Sequence, residues 1–220
     1  MKNKKAVVLL SGGLDSATTL YFAKSKGYDC SCLIFDYGQR HKKEIQSAKL
    51  IAKRAKSKWQ LVKINLPHKG SALLDNTKPI PKTPSKKNKI PSTYVPARNI
   101  IFLSFALSFA ESIGAQDIFI GANAIDYSGY PDCRPKFYRD FIRAANSGTA
   151  KGVSGKHFRI LTPLIHKTKA QIIKLGLELG VPYELTWSCY AGGAKPCGVC
   201  DSCYFRAKGF QELQMRMYDR

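Results

Sequence analysis

A chain of 220 residues with 44% hydrophobic and 11% aromatic residues has the composition of one sizeable folded core, which excludes a disordered or fibrous protein and leaves little length for two ordinary domains. A formal charge of +21, from 36 Lys and Arg against 15 Asp and Glu, favours anionic partners such as nucleotides or nucleic acid; lysines scattered along the whole chain serve equally well as a solvated surface. No apolar stretch reaches membrane-spanning length, and the start, MKNKKAVVLL, has too short an apolar run for a signal peptide, so a soluble, cytoplasmic protein with no membrane partner is expected.

The first predicted element is a strand, KAVVLL (5–10), followed by SGGLDS (11–16) and a helix over SATTLYFAKSK that stops at Gly27. A strand, a glycine turn and a helix N-terminus gather backbone N–H groups around one point, which suits a phosphate or pyrophosphate. Gly12 and Gly13 let the backbone approach, Ser11 and Ser16 can donate hydroxyl hydrogen bonds, and Asp15 is placed to support a nucleotide-bound Mg²⁺. A Walker A loop is excluded by the missing Lys-Ser/Thr pair, and a dinucleotide fingerprint by the missing G-x-G-x-x-G. SGGLDS resembles the pyrophosphate loop of the ATP pyrophosphatases, a group that includes GMP and asparagine synthetases, tRNA thiolases and lysidine synthetases. That likeness assigns nucleotide binding to Val8, Leu9, Leu10, Ser11, Gly12, Gly13, Leu14, Asp15, Ser16 and Ala17.

A second strand, CSCLIFDY (30–37), a helix, KKEIQSAKLIAKRAK (42–56), and a third strand, WQLVKIN (59–65), complete a βαβαβ order. Cys30 and Cys32 share one face of the second strand and read as packing residues. The loop after it, FDYGQRH, is expected to carry specificity through Tyr37, Gln39 and Arg40, because ligands of open α/β sheets bind outside the carboxyl ends of strands. Residues 66–94 dissolve into Pro, Lys, Ser and Asn, longer than a compact domain usually tolerates without a purpose, and 78–89 is a candidate lid.

Beyond YVPARN, whose Arg98 could hold a phosphate, NIIFLSFALSFAESIG (99–114) reads as a buried helix and QDIFIGAN (116–123) as the fourth strand. Its following loop offers Asn123, Asp126, Tyr127, Tyr130 and Asp132, carboxylates and ring faces suited to a planar heterocycle with N–H donors, or else simply a cover for the core edge. Cys133 could pack or touch substrate. A turn-rich stretch (128–146) leads into a helix, FRILTPL (158–164) is the last strand, and KTKAQIIKLGLELG (167–180) a helix whose Lys167 and Lys169 could hold phosphates or lie in solvent. WSCYAGGAKPCGVCDSC then spaces Cys189, Cys197, Cys200 and Cys203 as C-x7-C-x2-C-x2-C, the pattern of a closed zinc site, with an iron–sulfur cluster as the rival; FRAKGFQELQMRM (205–217) is a terminal helix.

Taken together, SGGLDS, FDYGQRH, TYVPARNIIFLS, GANAIDYSGYPDCRP and LTWSCY through CGVCDSC resemble the 7-cyano-7-deazaguanine synthases, nitrile-forming enzymes of the queuosine pathway, over residues 7–210. Ala97 departs from that pattern where Gly is expected, as does Ala122 where Val is more frequent; the first matters only if the backbone there needs a positive φ. The resemblance implies an adenine nucleotide alpha hydrolase-like α/β fold, an open, mostly parallel sheet with helices on both faces, in residues 1–186, and a zinc-binding loop and terminal helix in 187–220. It further implies ATP, Mg²⁺ and a structural Zn²⁺, with 7-carboxy-7-deazaguanine and ammonia as substrates and a homodimer without a stable nucleic-acid partner. Catalysis is assigned to Asp15, Ser16 and Lys167, nucleotide contact also to Arg98, and substrate contact to Tyr37, Gln39, Arg40, Asn123, Asp126, Tyr127, Tyr130 and Asp132. A tRNA-modifying ATPase of the same group, such as a thiolase, is the alternative enzyme; a zinc-containing nucleic-acid-binding module is the alternative without catalysis.

Overall fold

Alternating burial fixes the first strand. In β1 (Lys4–Leu9), Ala6 and Val8 pack into one layer of side chains and Val7 and Leu9 into the other. A strand apolar on both faces belongs in the middle of a parallel sheet covered twice by helices. The computed structural model, which describes residues 4–66, 70–82, 90–125 and 129–214, has that arrangement.

In chain order the elements are β1, α1 (Leu14–Ser25), β2 (Tyr28–Asp36), α2 (Lys43–Arg54), β3 (Lys58–Lys63), α3 (Arg98–Ile113), β4 (Asp117–Phe119), α4 (Pro135–Ser147), α5 (Ala150–Val153), β5 (Arg159–Leu161), α6 (Lys169–Glu178) and α7 (Asp201–Glu212). The five strands are parallel in the order β3-β2-β1-β4-β5, with Val8 of β1 opposite Cys32 of β2 on one side and Phe119 of β4 on the other. One face is closed by α1, α2, α6 and α7 through Leu20, Ile51, Ile172 and Phe210, the other by α3 and α4 through Leu103, Ala106 and Tyr138. The strand order reverses between β1 and β4, so the crevice at their carboxyl ends is where the topology puts a ligand.

Cys30 and Cys32 lie in the core, as expected of packing residues, and burial pushes both thiols up. Several elements differ from the sequence reading. The fourth and fifth strands are three residues each, because the chain beyond Phe119 and Leu161 leaves the ladder to line the crevice or to turn. The short α5, not anticipated, is capped by Thr149, whose side chain accepts from the Gly152 amide. α7 starts at Asp201 with Cys200 at its N-cap, earlier than the apolar spacing suggested, so the helix begins inside the cysteine cluster. The candidate lid is described only through residue 82, and residues 83–89 lie outside the described residues.

Candidate active site

The pyrophosphate-type loop leaves β1 and turns at Gly12, whose φ is +86°. A side chain there would strike the Glu44 carbonyl and the Ala48 amide of α2, so the glycine is needed both for its backbone conformation and for close approach. Gly121, just past β4, is the second such position: a Cβ would lie 2.9 Å from the Asp15 carbonyl. These two contacts draw α1's first turn, α2 and the end of β4 together. The Ser16 hydroxyl closes the loop by donating to the Gly13 carbonyl at 3.1 Å and accepting from the Ser11 hydroxyl at 3.0 Å. No side chain caps α1, which leaves its first amides directed at the crevice, as an anion site requires.

A cavity of about 250 Å³ opens there. Leu9, Leu10, Ser11, Gly13, Leu14, Asp15 and Ser16 line it, whereas Val8, Gly12 and Ala17 stand behind as packing. Asp15 does not stand free: the Lys169 ammonium, from the first residue of α6, donates to both carboxylate oxygens at 2.8 Å with both side chains largely buried. Lys167 is placed differently. Its carbonyl accepts from Asn123 Nδ2 at 2.7 Å, and Lys169, not Lys167, lines the cavity.

The opposite wall carries Tyr37, Gln39, Arg40, Arg98, Asn123 and Tyr130. Several of these are committed within the protein. Gln39 bridges the Tyr37 amide and the Phe35 carbonyl of its own loop. Arg40 donates to Asn76 Oδ1 and to the carbonyls of Ala72, Asn76 and Lys78, pinning the long connection. Arg98 is the exception: its guanidinium donates to the Tyr37 hydroxyl at 3.3 Å, lies 5.8 Å from that ring's centre, and forms no ion pair among the described residues. Its charge acts on the Glu44 and Asp132 carboxyls without an ion pair to either, which leaves its cavity side open to a further anion. Tyr130 shares a hydrogen bond with Thr93 at 2.7 Å. Asp132 is buried behind this wall, where its Oδ2 accepts from the Asn99 amide at 3.3 Å, and burial raises its pKa. Asp126 and Tyr127 lie outside the described residues.

Lining residues not foreseen as site residues include His41, Glu44, Trp187, Tyr190 and Arg206, and Cys133, which could pack or touch substrate, also lines the cavity. Glu44 left a signal, for it is the lone acid between residues 42 and 63, a segment otherwise rich in lysine. Burial raises its carboxyl to about 7, opposed by the nearby Arg98 charge. Burial likewise pushes the Cys133 thiol up to about 12.

The cysteine loop forms the remaining wall. Trp187 donates its amide to the Gly12 carbonyl at 3.0 Å and its indole N–H to Cys189 O at 2.9 Å. Lys43 lies 4.3 Å from the Trp187 ring and donates to the carbonyls of Gly193 and Ala194. The ligand atoms of Cys189, Cys197, Cys200 and Cys203 all fall within 4.8 Å of one another. Cys189 Sγ accepts from the amides of Ala191 and Cys197, and Cys197 Sγ from that of Cys200. Hydrogen bonds from Cys200 and Cys203 hold the Cys189 thiol well below its ordinary pKa, while Cys203, as a donor, is pushed far up. Four sulfurs this close cannot all ionise unless a cation sits among them, so the donor set fits one tetrahedral metal ion.

Known proteins resemble the chain along nearly its whole length. The family model described as queuosine biosynthesis protein QueC matches residues 5–214. The chain is 54% identical over 215 residues to a 7-cyano-7-deazaguanine synthase of Thermoplasma acidophilum, covering 96% of this chain and 90% of the relative. It is 55% identical over 210 residues to a protein of the same name from Acetivibrio thermocellus, covering 95% and 94%. Among solved structures, an NMN synthetase from Francisella tularensis superposes with a TM-score of 0.54 at 16% identity, over 98% of this chain and 79% of that one. An NH3-dependent NAD synthetase from Campylobacter jejuni gives 0.51 at 15%, over 84% and 68%. At such identities the two synthetases share the fold alone.

Proposed function

The chain belongs to the QueC family of queuosine biosynthesis proteins, and from that membership we propose that it converts 7-carboxy-7-deazaguanine and ammonia to 7-cyano-7-deazaguanine at the expense of ATP. One observation carries the reading: a single crevice is lined both by the open N-terminus of α1 and by the Arg98 guanidinium, which has no ion pair among the described residues, giving one place for phosphate and a second for an anion.

The chemistry needs two activations. In the first, a substrate carboxylate oxygen attacks the α phosphorus of ATP, an O–P bond forms, and the bond to pyrophosphate breaks. Ammonia then displaces AMP to give the amide. The amide oxygen is adenylated by a second ATP, and loss of AMP and a proton leaves the nitrile. The protein's part is placement and charge: the loop amides and Ser11 and Ser16 receive the leaving pyrophosphate, Lys169 balances Asp15, and Arg98 holds an anion at the other end. Asp15 would share a nucleotide-bound Mg²⁺, which offsets phosphate charge. Tyr37, Tyr130 and Asn123, with Asp126 and Tyr127, would frame the deazapurine. Cys189, Cys197, Cys200 and Cys203 would hold Zn²⁺, which with four thiolates fastens the loop bearing Trp187 and leaves no position for substrate. A homodimer in a reducing cytoplasm completes the reading, the seven cysteines suiting such a compartment.

The thiolase alternative needs a nucleophilic or persulfide-bearing cysteine. Cys133 is the sole cysteine lining the cavity among the described residues, and a thiol raised to about 12 stays protonated at neutral pH. Chromatography of the adenine nucleotides tests the proposed chemistry: AMP and pyrophosphate released only with the acid and ammonium present are expected, and ADP with phosphate overturns it.

A further inference from the structure

The reaction consumes ammonia, yet at neutral pH ammonium carries an extra proton and no lone pair. A site that uses it as a nucleophile gains from a proton acceptor close to the acyl carbon. Two carboxylates line the cavity among the described residues, Asp15 and Glu44. Asp15 has both oxygens bound by Lys169. Glu44 makes no hydrogen bond or ion pair through its carboxylate among the described residues, although the Arg98 charge acts on it. It projects from the first turn of α2 and shares the cavity wall with Tyr37, Arg98 and the indole of Trp187.

We propose that Glu44 binds the incoming ammonium and takes its proton, delivering ammonia to the acyl adenylate. This rests on the functional reading above and assigns a residue to its ammonia step. The balance is simple. One N–H bond of ammonium breaks and the proton passes to the Glu44 carboxylate. The freed lone pair forms a C–N bond at the acyl carbon, the C–O bond to the phosphate breaks, and AMP departs. A second proton leaves nitrogen to AMP or water, giving the amide, and Glu44 returns its proton to solvent. Enclosure supports the assignment, because the same burial that raises this carboxyl to about 7 makes it a better proton acceptor than an ordinary glutamate. His41 also lines the cavity with its Nδ1 buried and unbonded among the described residues, but its ring is wedged against Gly192 and edge-on to Trp187 of the cysteine loop, which holds it away from a free position in the cavity.

Glu44→Gln keeps the shape and removes the base. The zinc-loaded variant and the parent are assayed for acid-dependent exchange of labelled pyrophosphate into ATP without ammonium, for nitrile formation with ammonium, and for hydroxamate formation with hydroxylamine, which is unprotonated at neutral pH. Expected for the variant are exchange close to the parent, ammonium-dependent kcat/KM lower by about 100-fold or more, and hydroxamate formation near the parental rate. Retained ammonium use overturns the proposal. So does loss of exchange and of hydroxamate alongside it, which makes Glu44 a structural or nucleotide-binding residue. If the parent itself shows no acid-dependent exchange, the functional reading fails first and this one falls with it.

Discussion

At the scale of single residues, two lysines two positions apart have different fates. Both were legible as cations near a strand end, but spacing could not say which one faces the crevice. The capping box of Thr168 and Gln171 starts α6 and sets Lys169 at its first position, turned toward Asp15, while Lys167 contributes a carbonyl to Asn123. Lys169→Met should lower nitrile formation by about 100-fold or more, since it strips the charge partner from a largely buried carboxylate beside the reacting phosphates. Lys167→Met should stay near the parental rate, and the reverse ranking in a steady-state assay contradicts the placement. Ala97 is the second case. It sits at φ +54° just before α3, in the left-handed region that costs an L-residue about 1–2 kcal/mol. Ala97→Gly relieves that strain and gives back about 0.4–1 kcal/mol through its more flexible unfolded chain. A net gain of about 0–1.6 kcal/mol is expected in thermal melts, and a lower melting temperature refutes the strain.

At the scale of elements, the cysteine loop and the pyrophosphate loop are one construction. Trp187 bonds to Gly12, Lys43 holds the loop's carbonyls, and Phe210 of α7 is buried in the same core as α1. Cys200→Ser should therefore do more than release metal. Zinc measured by absorption spectroscopy falls below one per chain, the melting temperature drops, and the KM for ATP rises because the Trp187 wall loosens. A variant that keeps its metal and its melting point contradicts a structural metal centre at this loop. The βαβ order, the glycine loop and the four-cysteine spacing were legible because each is a local pattern with a physical cause. The site's far wall was not. Arg40, expected at the site, lines the cavity but spends its hydrogen bonds on Asn76 and the long connection, and Glu44, for which no site role was read, faces the cavity. Both outcomes depend on which surface of α2 and of the long connection meets β2, a tertiary fact no local period encodes.

At the scale of the whole molecule, the excess of positive charge acts through its field. With a net charge of +21 and proposed substrates that are anions apart from ammonium, binding of ATP should weaken with salt. At about 1 M salt, where the screening length falls to about 3 Å, a several-fold rise in the KM for ATP is expected with little change in kcat; a salt-independent KM leaves the charge as solvated surface. Among the described residues no helix is long and apolar enough to cross a membrane, and the strand ends hold the cavity lined by the pyrophosphate-type loop and Arg98. The most direct test of its function is mass spectrometry of the deazapurine after incubation of the zinc-loaded protein with 7-carboxy-7-deazaguanine, nitrogen-15 ammonium and Mg-ATP. The account predicts the nitrile carrying one heavy nitrogen; an unchanged acid recovered beside folded, metal-loaded protein would contradict it.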